Sequence, residues 1–548
     1  MNTYFKKSLL TLAATGLLMA CSKDELDVKN PNQPTPASAA TEVGVVSLAQ
    51  GTVYVNGLGN SSAGIKYYDG VPGGFFTGPL GFHELMGDVV GEEAANQFGN
   101  QIGMPDLVTL DDGTKVANPS SISTQIALLR TVNVNAQGAS NPLYYEWAYM
   151  YNLNNGMNSV LEIAAATKFI GDATAQAAKL NTLKAWAYWW KGYAYSRIGS
   201  IYYAGLINDK AGVTNGNYVT KEKMIEEAGK NFDLAATALT ALGAGGDAYS
   251  TVMSGLIPAF NQVGKGLVPS PAEWKRNINT MKARNILVNT PAKTMSAAQW
   301  GQILTLANDG IKATDNVFTG RSNDNADFMN KLNGNIPAKS TGPTGGTYKI
   351  SERLIQDFPV GDKRLDNNFK KSASAILFNQ DRGNSFNTRW TIVDGSNGLP
   401  GVIVMNNRTV GAYELYIAGF YEENELMKAE AKIYTGDIAG GLASIDAVRK
   451  AQGAGLAALT GLAKDDALEE LRKERRVGLA FRGLSFYDAR RLGVITDGRK
   501  NAVVVDKAGK VNTKATINYN FLDYWDVPDN ELAYNPASTS SAPIKNPK

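Results

Sequence analysis

The sequence predicts a mainly α-helical protein, built on degenerate helix pairs of the tetratricopeptide type with long irregular loops and little β-structure. Several long stretches place apolar residues at helical spacing, and one of them turns back at a glycine corner. Two other zones are rich in glycine, asparagine and aromatic residues and show no sustained period; we call 61–99 the early irregular zone and 315–412 the late irregular zone. The 548 residues suffice for a large core.

The clearest helix pair lies at 426–450. Apolar residues recur at i, i+3 and i+7 spacing on both sides of the corner. Gly436 suits the left-handed residue that ends a helix, and Asp437 suits the N-cap of the next one. Ala431 is a small residue where the two helices of the pair are expected to approach closely.

Further helices are expected upstream of this pair. The stretch 183–201 is apolar on most faces, so its helix should be packed on most sides and its tryptophans should lie in the core. Trp274 is also expected to be structural, on the resemblance of 272–284 to a known helix that is described below. The other expected helices cover 41–60, 141–161, 222–242, 274–287 and 298–314, and the fourth of these is expected to pair with the third.

Aromatic residues in the two irregular zones are candidates for ligand contact. The early zone carries Tyr67, Tyr68, Phe75 and Phe76 among glycines, and the late zone carries Trp390. Aromatic residues in long loops usually pin the loop to the core, but long loops inside a compact body are often functional. Both readings stay open from the residues alone.

The first forty residues predict a lipid anchor. Residues 1–20 combine two lysines with an apolar run too short to span a bilayer, which is typical of a bacterial signal peptide. The run ends in Leu-Met-Ala before Cys21, the lipobox pattern, and Cys21 is the only cysteine in the chain. We therefore expect lipidation of Cys21 and a proline-rich tether over 21–40, with an acidic Asp24-Glu25 tag near its start.

Composition argues against several function classes. The net charge of +3 gives no basic face, so nucleic acid is not an expected partner. His83 is the only histidine, and it is expected in a loop as a packing or hydrogen-bonding residue. One histidine and one cysteine are too few for a zinc site built from several His or Cys ligands. A catalytic triad that needs histidine would have to use His83, and no serine elbow motif lies near it in the sequence. We expect no enzyme, cofactor or metal. The residue types alone leave two alternatives open: a glycosidase with two carboxylates, and a calcium ion in the oxygen-rich loop 323–327, whose spacing does not complete an EF-hand.

The run from Leu471 to Gly493 resembles the late signature of the SusD/RagB family of surface nutrient-binding lipoproteins. The matching positions are Glu474, Arg475, Arg476, Leu479, Phe481, Gly483, Asp488, Arg491 and Gly493. Gly478, Arg482, Ser485 and Ala489 depart from the pattern. Because the lost charges are complementary, we interpret the run as a rearranged structural ion network.

Other pieces extend the resemblance. The helices at 184–199 and 272–284 and the closing segment 525–536 are similar to family segments. The resemblance implies a SusD-like single body over 41–548, with an N-terminal part at about 41–245 and a C-terminal part at about 270–548.

The resemblance also implies a function. Such a protein would sit in the outer membrane through its lipid anchor, facing outward, bind an oligosaccharide or glycan, and deliver it to a TonB-dependent transporter of the SusC type. The expected ligand residues are Tyr67, Tyr68, Phe75, Phe76 and Trp390. A peptide-binding member of the same family and a non-binding structural lipoprotein remain as alternatives.

Overall fold

The protein is described here by a computed structural model, which covers residues 40–54, 79–92, 98–119, 124–321, 348–376, 387–407, 409 and 411–548. Within these ranges the chain is mainly helical, as predicted. The helices, in chain order, are α1 (Glu42–Val53), α2 (Pro79–Met86), α3 (Gly99–Ile102), α4 (Gln125–Val132), α5 (Pro142–Ala166), α6 (Ala173–Ile201), α7 (Lys221–Ala241), α8 (Asp247–Leu256), α9 (Pro271–Val288), α10 (Ala297–Asn308), α11 (Glu352–Gln356), α12 (Lys363–Asn368), α13 (Tyr421–Thr435), α14 (Ile438–Ala451), α15 (Lys464–Gly478), α16 (Ser485–Arg491), α17 (Val494–Asp497) and α18 (Asp529–Leu532).

The β-structure of the described ranges consists of short antiparallel ladders. One sheet has four strands in the order β11-β12-β2-β3, and the others are the pairs β1–β7, β4–β5, β6–β10 and β8–β9. The strands are β1 (Val90–Glu92), β2 (Leu107–Thr109), β3 (Lys115–Ala117), β4 (Ala204–Gly205), β5 (Val219–Thr220), β6 (Thr319–Arg321), β7 (Tyr348–Ile350), β8 (Phe369–Ile376), β9 (Thr388–Ile392), β10 (Glu414–Tyr416), β11 (Arg499–Val505) and β12 (Val511–Asn518). The late irregular zone therefore contributes several strands.

Side-chain caps set the helix starts. Thr41 accepts a hydrogen bond from the backbone N–H of Gly44, and Asn141 accepts one from Leu143, so α1 and α5 begin where predicted. Ser270 and Glu273 form a reciprocal capping box at the start of α9. The predicted pairing of α7 with α9 is present, but α7 packs more extensively against α6. Helix α8 was not predicted.

A cluster of aromatic rings lies where α6 and α9 pack together. Trp186, Trp189 and Trp190 of α6 are fully buried, as is Trp274 of α9, so their predicted structural role is confirmed. The ring of Phe318 lies 5.5, 5.0, 5.7 and 5.3 Å from these four indoles, between centroids. We call these five residues the tryptophan core.

The helix pair α13–α14 has the predicted corner. Gly436 adopts φ of 99°, and the Asp437 carboxylate accepts a hydrogen bond from the N–H of Gly440. The role predicted for Ala431 is wrong, because Ala431 packs in a separate cluster with Trp300 of α10. The close approach within the pair is made by Gly441, where a Cβ would lie 2.4 Å from Ile433 Cγ1.

Candidate functional site

Of the predicted ligand residues, Trp390 is the one that the structure describes. Tyr67, Tyr68, Phe75 and Phe76 lie outside the described residues, as does the predicted lipidation site Cys21.

Trp390 lies on β9, opposite Lys371 of β8. Its backbone N–H donates to Thr388 Oγ1 at 3.1 Å, and its ring is half-buried against the main core. The indole N–H has no hydrogen-bond acceptor within the described ranges. Trp390 as a whole is therefore partly exposed, although its indole nitrogen is buried.

A buried carboxylate fixes the strand that carries Trp390. Glu352 of α11 accepts a hydrogen bond of 2.6 Å from the backbone N–H of Arg389, and bonds of 3.1 and 2.8 Å from its guanidinium. This hydrogen bonding to Glu352 raises the pKa of Arg389. The bidentate pair holds both the main chain and the side chain of the residue before Trp390. We call strand β9 with Trp390 the tryptophan edge.

The two irregular zones are joined beside this edge. Glu92 of β1 is paired with Tyr348 of β7, and β7 in turn contacts β9. Just before β1, the buried Asp88 accepts hydrogen bonds from Ser351 and from the Arg353 guanidinium. Burial alone would raise the pKa of Asp88, but Arg353 holds it well below its usual range. An ionised buried carboxylate therefore ties the early zone to the late one.

His83 is a buried structural residue. It lies on α2, so its expected place in a loop is wrong, whereas its expected packing and hydrogen-bonding role is confirmed. Its Nε2 lies 3.1 Å from both Glu146 Oε2 and Arg197 Nη2. Burial lowers the pKa of His83 to about 4, so the ring is neutral at pH 7.

The described carboxylates do not gather into a metal site. Within the described ranges, no cluster of three or more His, Cys, Asp or Glu side chains could hold a metal ion. The adjacent pair Glu422–Glu423 diverges, as expected for neighbours on a helix, because Glu423 is buried against Arg284 while Glu422 is partly exposed.

The run from Leu471 to Gly493 takes part in two buried networks of ion pairs, which we call the arginine networks. Asp488 bridges Arg475 and Arg491 at 2.9 and 2.7 Å, and Arg491 also binds Glu430 at 2.6 Å. A second network joins Glu474 to Arg364 at 2.6 Å and to Arg449 at 3.0 Å, and Arg364 also binds Asp362 at 2.7 Å. The predicted structural ion network is confirmed.

The departing positions take local roles around these networks. Gln452 donates to the Gly478 carbonyl at 2.9 Å, where the close Glu474 carboxylate leaves little room for a side chain. Arg482 lies over the rings of Tyr413 and Tyr416, 5.3 and 4.5 Å from their centroids. Ser485 donates to the His83 carbonyl.

A cleft that sequence reasoning missed opens on another part of the body. It has a volume of about 580 Å³ and lies between the ends of α6 and α9, the start of α7 and the turn from α16 to α17. We call it the Tyr524 cleft; its lining includes Tyr203, Lys221, Asn289, Arg490, Tyr524 and Asn546. Because these residues come from widely separated segments, no local pattern marks the cleft in the sequence.

Comparison with known proteins agrees with this architecture. A sequence profile described as the SusD family matches residues 423–543. No protein with a curated description matches the chain. Among the described helices, none is long and apolar enough to cross a membrane.

Solved structures share the fold over most of the chain. A SusD-like protein of Bacteroides fragilis is 15% identical with a TM-score of 0.53, covering 85% of this chain and 93% of its own. A SusD-like carbohydrate binding protein of Bacteroides vulgatus is 13% identical with a TM-score of 0.52, covering 92% and 98%. Surface glycan-binding protein A of Bacteroides fluxus is 13% identical with a TM-score of 0.54, covering 94% and 100%. The chain therefore has a SusD-like fold, and its residues 423–543 match the SusD family profile.

Proposed function

We propose that this protein is a surface lipoprotein that binds an oligosaccharide and delivers it to a TonB-dependent outer-membrane transporter of the SusC type. The SusD family profile matched at 423–543 supports this proposal, as do the fold relatives described as carbohydrate binding and glycan-binding proteins. The role is binding and transfer, without catalysis.

The observation that carries the binding role is the tryptophan edge. A sugar ring presents a flat C–H face that packs on an aromatic ring, and such a contact is worth on the order of 1 kcal/mol beyond burial. Trp390 is partly exposed on a strand fixed by Glu352, so little order has to be created on binding. The β1–β7 pair places residues 90–92 of the early irregular zone beside this edge.

Weak capture suits transfer to a transporter. A few ring contacts on an open surface would give micromolar to millimolar dissociation constants, from which release is fast. Lipidation of Cys21 would hold the body at the membrane, and acyl chains contribute about 0.8 kcal/mol per buried methylene. A tether over 21–40 would then keep the bound ligand near the partner and raise its effective concentration.

Calorimetric titration against plant, fungal and bacterial glycans and a peptide digest tests this proposal. We expect saturable binding to one glycan class, weakened about fivefold or more by Trp390→Ala, since loss of roughly 1 kcal/mol is a factor of about five. Tyr534→Ala is the matched control, because Tyr534 is a highly exposed aromatic residue elsewhere on the body.

Other results of these experiments would point to a different function or a different site. Binding of the peptide digest alone would assign the chain to peptide capture. Equal glycan affinity in both variants would remove Trp390 from the site, and shortening of the glycan during incubation would overturn the non-catalytic role. Failure to pull down a SusC-type transporter from outer membranes would contradict the transfer step.

A further inference from the structure

We propose that the Tyr524 cleft is a second binding site, separate from the tryptophan edge, and that it takes a short saccharide carrying a carboxylate. The two sites share no lining residue: the cleft is built from the ends of α6, α7 and α9 and from segments after 490, whereas Trp390 lies on the β8–β9 hairpin.

The size and walls of the cleft suit a small organic ligand. Its volume of about 580 Å³ lies within the usual range for ligand pockets, and a second hollow of about 250 Å³ adjoins it. The two hollows share Lys221, Asn289, Thr290 and Tyr524. Val288, Pro291, Tyr203 and Ile495 contribute apolar atoms to the lining, which suits packing against the C–H face of a sugar ring.

The charges of the cleft leave one cation without a carboxylate. Lys221 is paired with Glu222, Lys293 with Asp497 at 2.8 Å, Lys548 with Asp523 at 3.2 Å, and Arg491 with Glu430 at 2.6 Å. Arg490 has no carboxylate partner within the described part of the chain. The lining therefore carries a surplus positive charge, which an anionic ligand would neutralise.

Arg490 keeps donors free for such a ligand. Its guanidinium gives three hydrogen bonds, all to backbone carbonyls, those of Ser200, Asp523 and Val288 at 2.7, 3.0 and 2.9 Å. Since a guanidinium has five N–H groups, two remain for an incoming carboxylate. Two of these carbonyls belong to the last turns of α6 and α9, so Arg490 also joins two helix ends.

Tyr524 brings the second cation to the same place. The guanidinium carbon of Arg490 lies 4.1 Å from the centroid of the Tyr524 ring, and Lys221 Nζ lies 4.8 Å from it. The Tyr524 hydroxyl donates to Asn289 Oδ1 at 3.2 Å, which fixes the ring. Both cations are thus held at one wall of the cleft, while the rim pair Lys293–Asp497 offers donors and acceptors to hydroxyl groups.

Calorimetry with acidic oligosaccharides tests this assignment. The probes are trimers based on galacturonate, glucuronate and sialic acid, each compared with its neutral methyl ester, on the full chain in detergent. We expect at least one acid to bind about tenfold or more tighter than its ester, and salt to weaken that binding. Trp390→Ala should leave it unchanged, which separates this site from the proposed glycan capture.

Variants of the cleft locate the bound acid. Arg490→Gln should weaken binding about tenfold, and Lys221→Met about fivefold, because each removes a charged donor. Lys221→Met keeps the fold measurable if loss of Arg490 disturbs the helix ends. Lys312→Ala is the control, since it removes the same charge from an exposed position outside the cleft.

Three results would overturn the inference. They are equal binding of every acid and its ester, the absence of binding by all the acids, and unchanged affinity in Lys221→Met and Arg490→Gln. Loss of acid binding in Trp390→Ala would move the acid to the tryptophan edge, which overturns the second site and leaves the proposed glycan capture intact.

Discussion

The tryptophan core and the arginine networks stabilise two halves of one body through different interactions. In the first, four indoles surround Phe318 with every ring buried. In the second, carboxylates and guanidinium groups are buried just as deeply and pair with one another. Burial of rings is favourable by itself, whereas a buried charge is tolerated only while its partners are in place.

This difference predicts different kinds of sensitivity. The tryptophan core should respond to lost volume and be nearly independent of pH. Buried ion pairs such as those of the arginine networks should respond to the loss of one partner and recover when both partners become apolar, and buried titratable groups should give the body its pH dependence.

Truncation in the tryptophan core should give the largest loss. Trp186→Ala removes a ring that contacts Trp190, Trp274 and Phe318, together with an N–H that donates to the Ala49 carbonyl at 3.1 Å. We expect the free energy of unfolding to fall by about 5 kcal/mol, the upper end for Trp→Ala, because cavity and hydrogen bond are lost together. Urea unfolding followed by circular dichroism measures it.

Trp186→Phe is the control for this test. It keeps most of the ring contact and should cost about 2 kcal/mol. The loss in Trp186→Ala should stay constant between pH 5 and 8. A pH-dependent loss, or one below 2 kcal/mol, would mean that the ring cluster is not the cohesive element of this half.

Breaking the ion pair between the halves should cost nearly as much. Glu423 of α13 is buried, and both of its carboxylate oxygens accept hydrogen bonds from the Arg284 guanidinium of α9. Glu423→Ala leaves a buried guanidinium unpaired and should lower the free energy of unfolding by about 4 kcal/mol.

The double variant Arg284→Met with Glu423→Leu separates this effect from lost packing. Because it removes both charges, we expect it to recover most of the stability that Glu423→Ala loses. If the double variant is as unstable as the single one, the pair contributes through shape, as the indoles do, and the contrast between the halves fails.

Local signals account for the parts of the fold that the sequence predicts well. The corner between α13 and α14 needs only a left-handed residue and an N-cap, and Gly436 and Asp437 supply them in adjacent positions. The burial of Trp189 and Trp190 follows from a helix that is apolar on most faces.

Local signals do not reveal contacts between residues that are far apart along the chain. Phe318 completes the tryptophan core from the start of the late irregular zone, where no period marks it as core. Arg364 meets Glu474 across 110 residues, so the charges of the signature were visible in the sequence but one of their main partners was not.

The two candidate sites differ in the same way in how much the sequence reveals about them. Trp390 could be proposed from residue type and context, whereas Glu352, which fixes its strand, has no signal in the sequence. The Tyr524 cleft is assembled from several distant segments, so its lining is visible only in the folded chain.

Adjacent residues of α2 should give opposing pH dependences. Burial raises the pKa of Glu84 to about 7, and burial lowers the pKa of His83 to about 4. In the unfolded chain these groups titrate near 4.5 and 6.5. As pH rises from about 4.5 to 6.5, the Glu84 contribution to stability is progressively lost, while the His83 contribution is gained.

Single substitutions should expose each slope. In Glu84→Gln, stability relative to the wild type should rise with pH across this window, and in His83→Gln it should fall, each by on the order of 2 to 3 kcal/mol. The measurement is urea unfolding at half-unit pH intervals. Parallel pH profiles for wild type and both variants would show that these buried groups do not titrate with folding.

The smallest effects should come from glycines at close helix contacts, and they compare the two halves directly. At Gly441, a Cβ would lie 2.4 Å from Ile433 Cγ1 and 2.9 Å from the Ala429 carbonyl oxygen. At Gly192 of the tryptophan-rich helix α6, it would lie 2.7 Å from a ring carbon of Phe232.

Replacing these glycines combines two opposing effects. Alanine stabilises a helix by about 1 kcal/mol relative to glycine, but overpacking costs about 1 to 3 kcal/mol. A backbone oxygen can move away from the added methyl group less easily than a side-chain ring can. We therefore expect Gly441→Ala to lower the free energy of unfolding by about 2 kcal/mol and Gly192→Ala by about 1 kcal/mol. Gly229→Ala on α7, where no atom lies within 4 Å, should instead raise it by up to about 1 kcal/mol. If Gly192→Ala lowered the stability more than Gly441→Ala, the half around the tryptophan core would be the more rigidly packed. The two halves would then differ in packing as well as in charge.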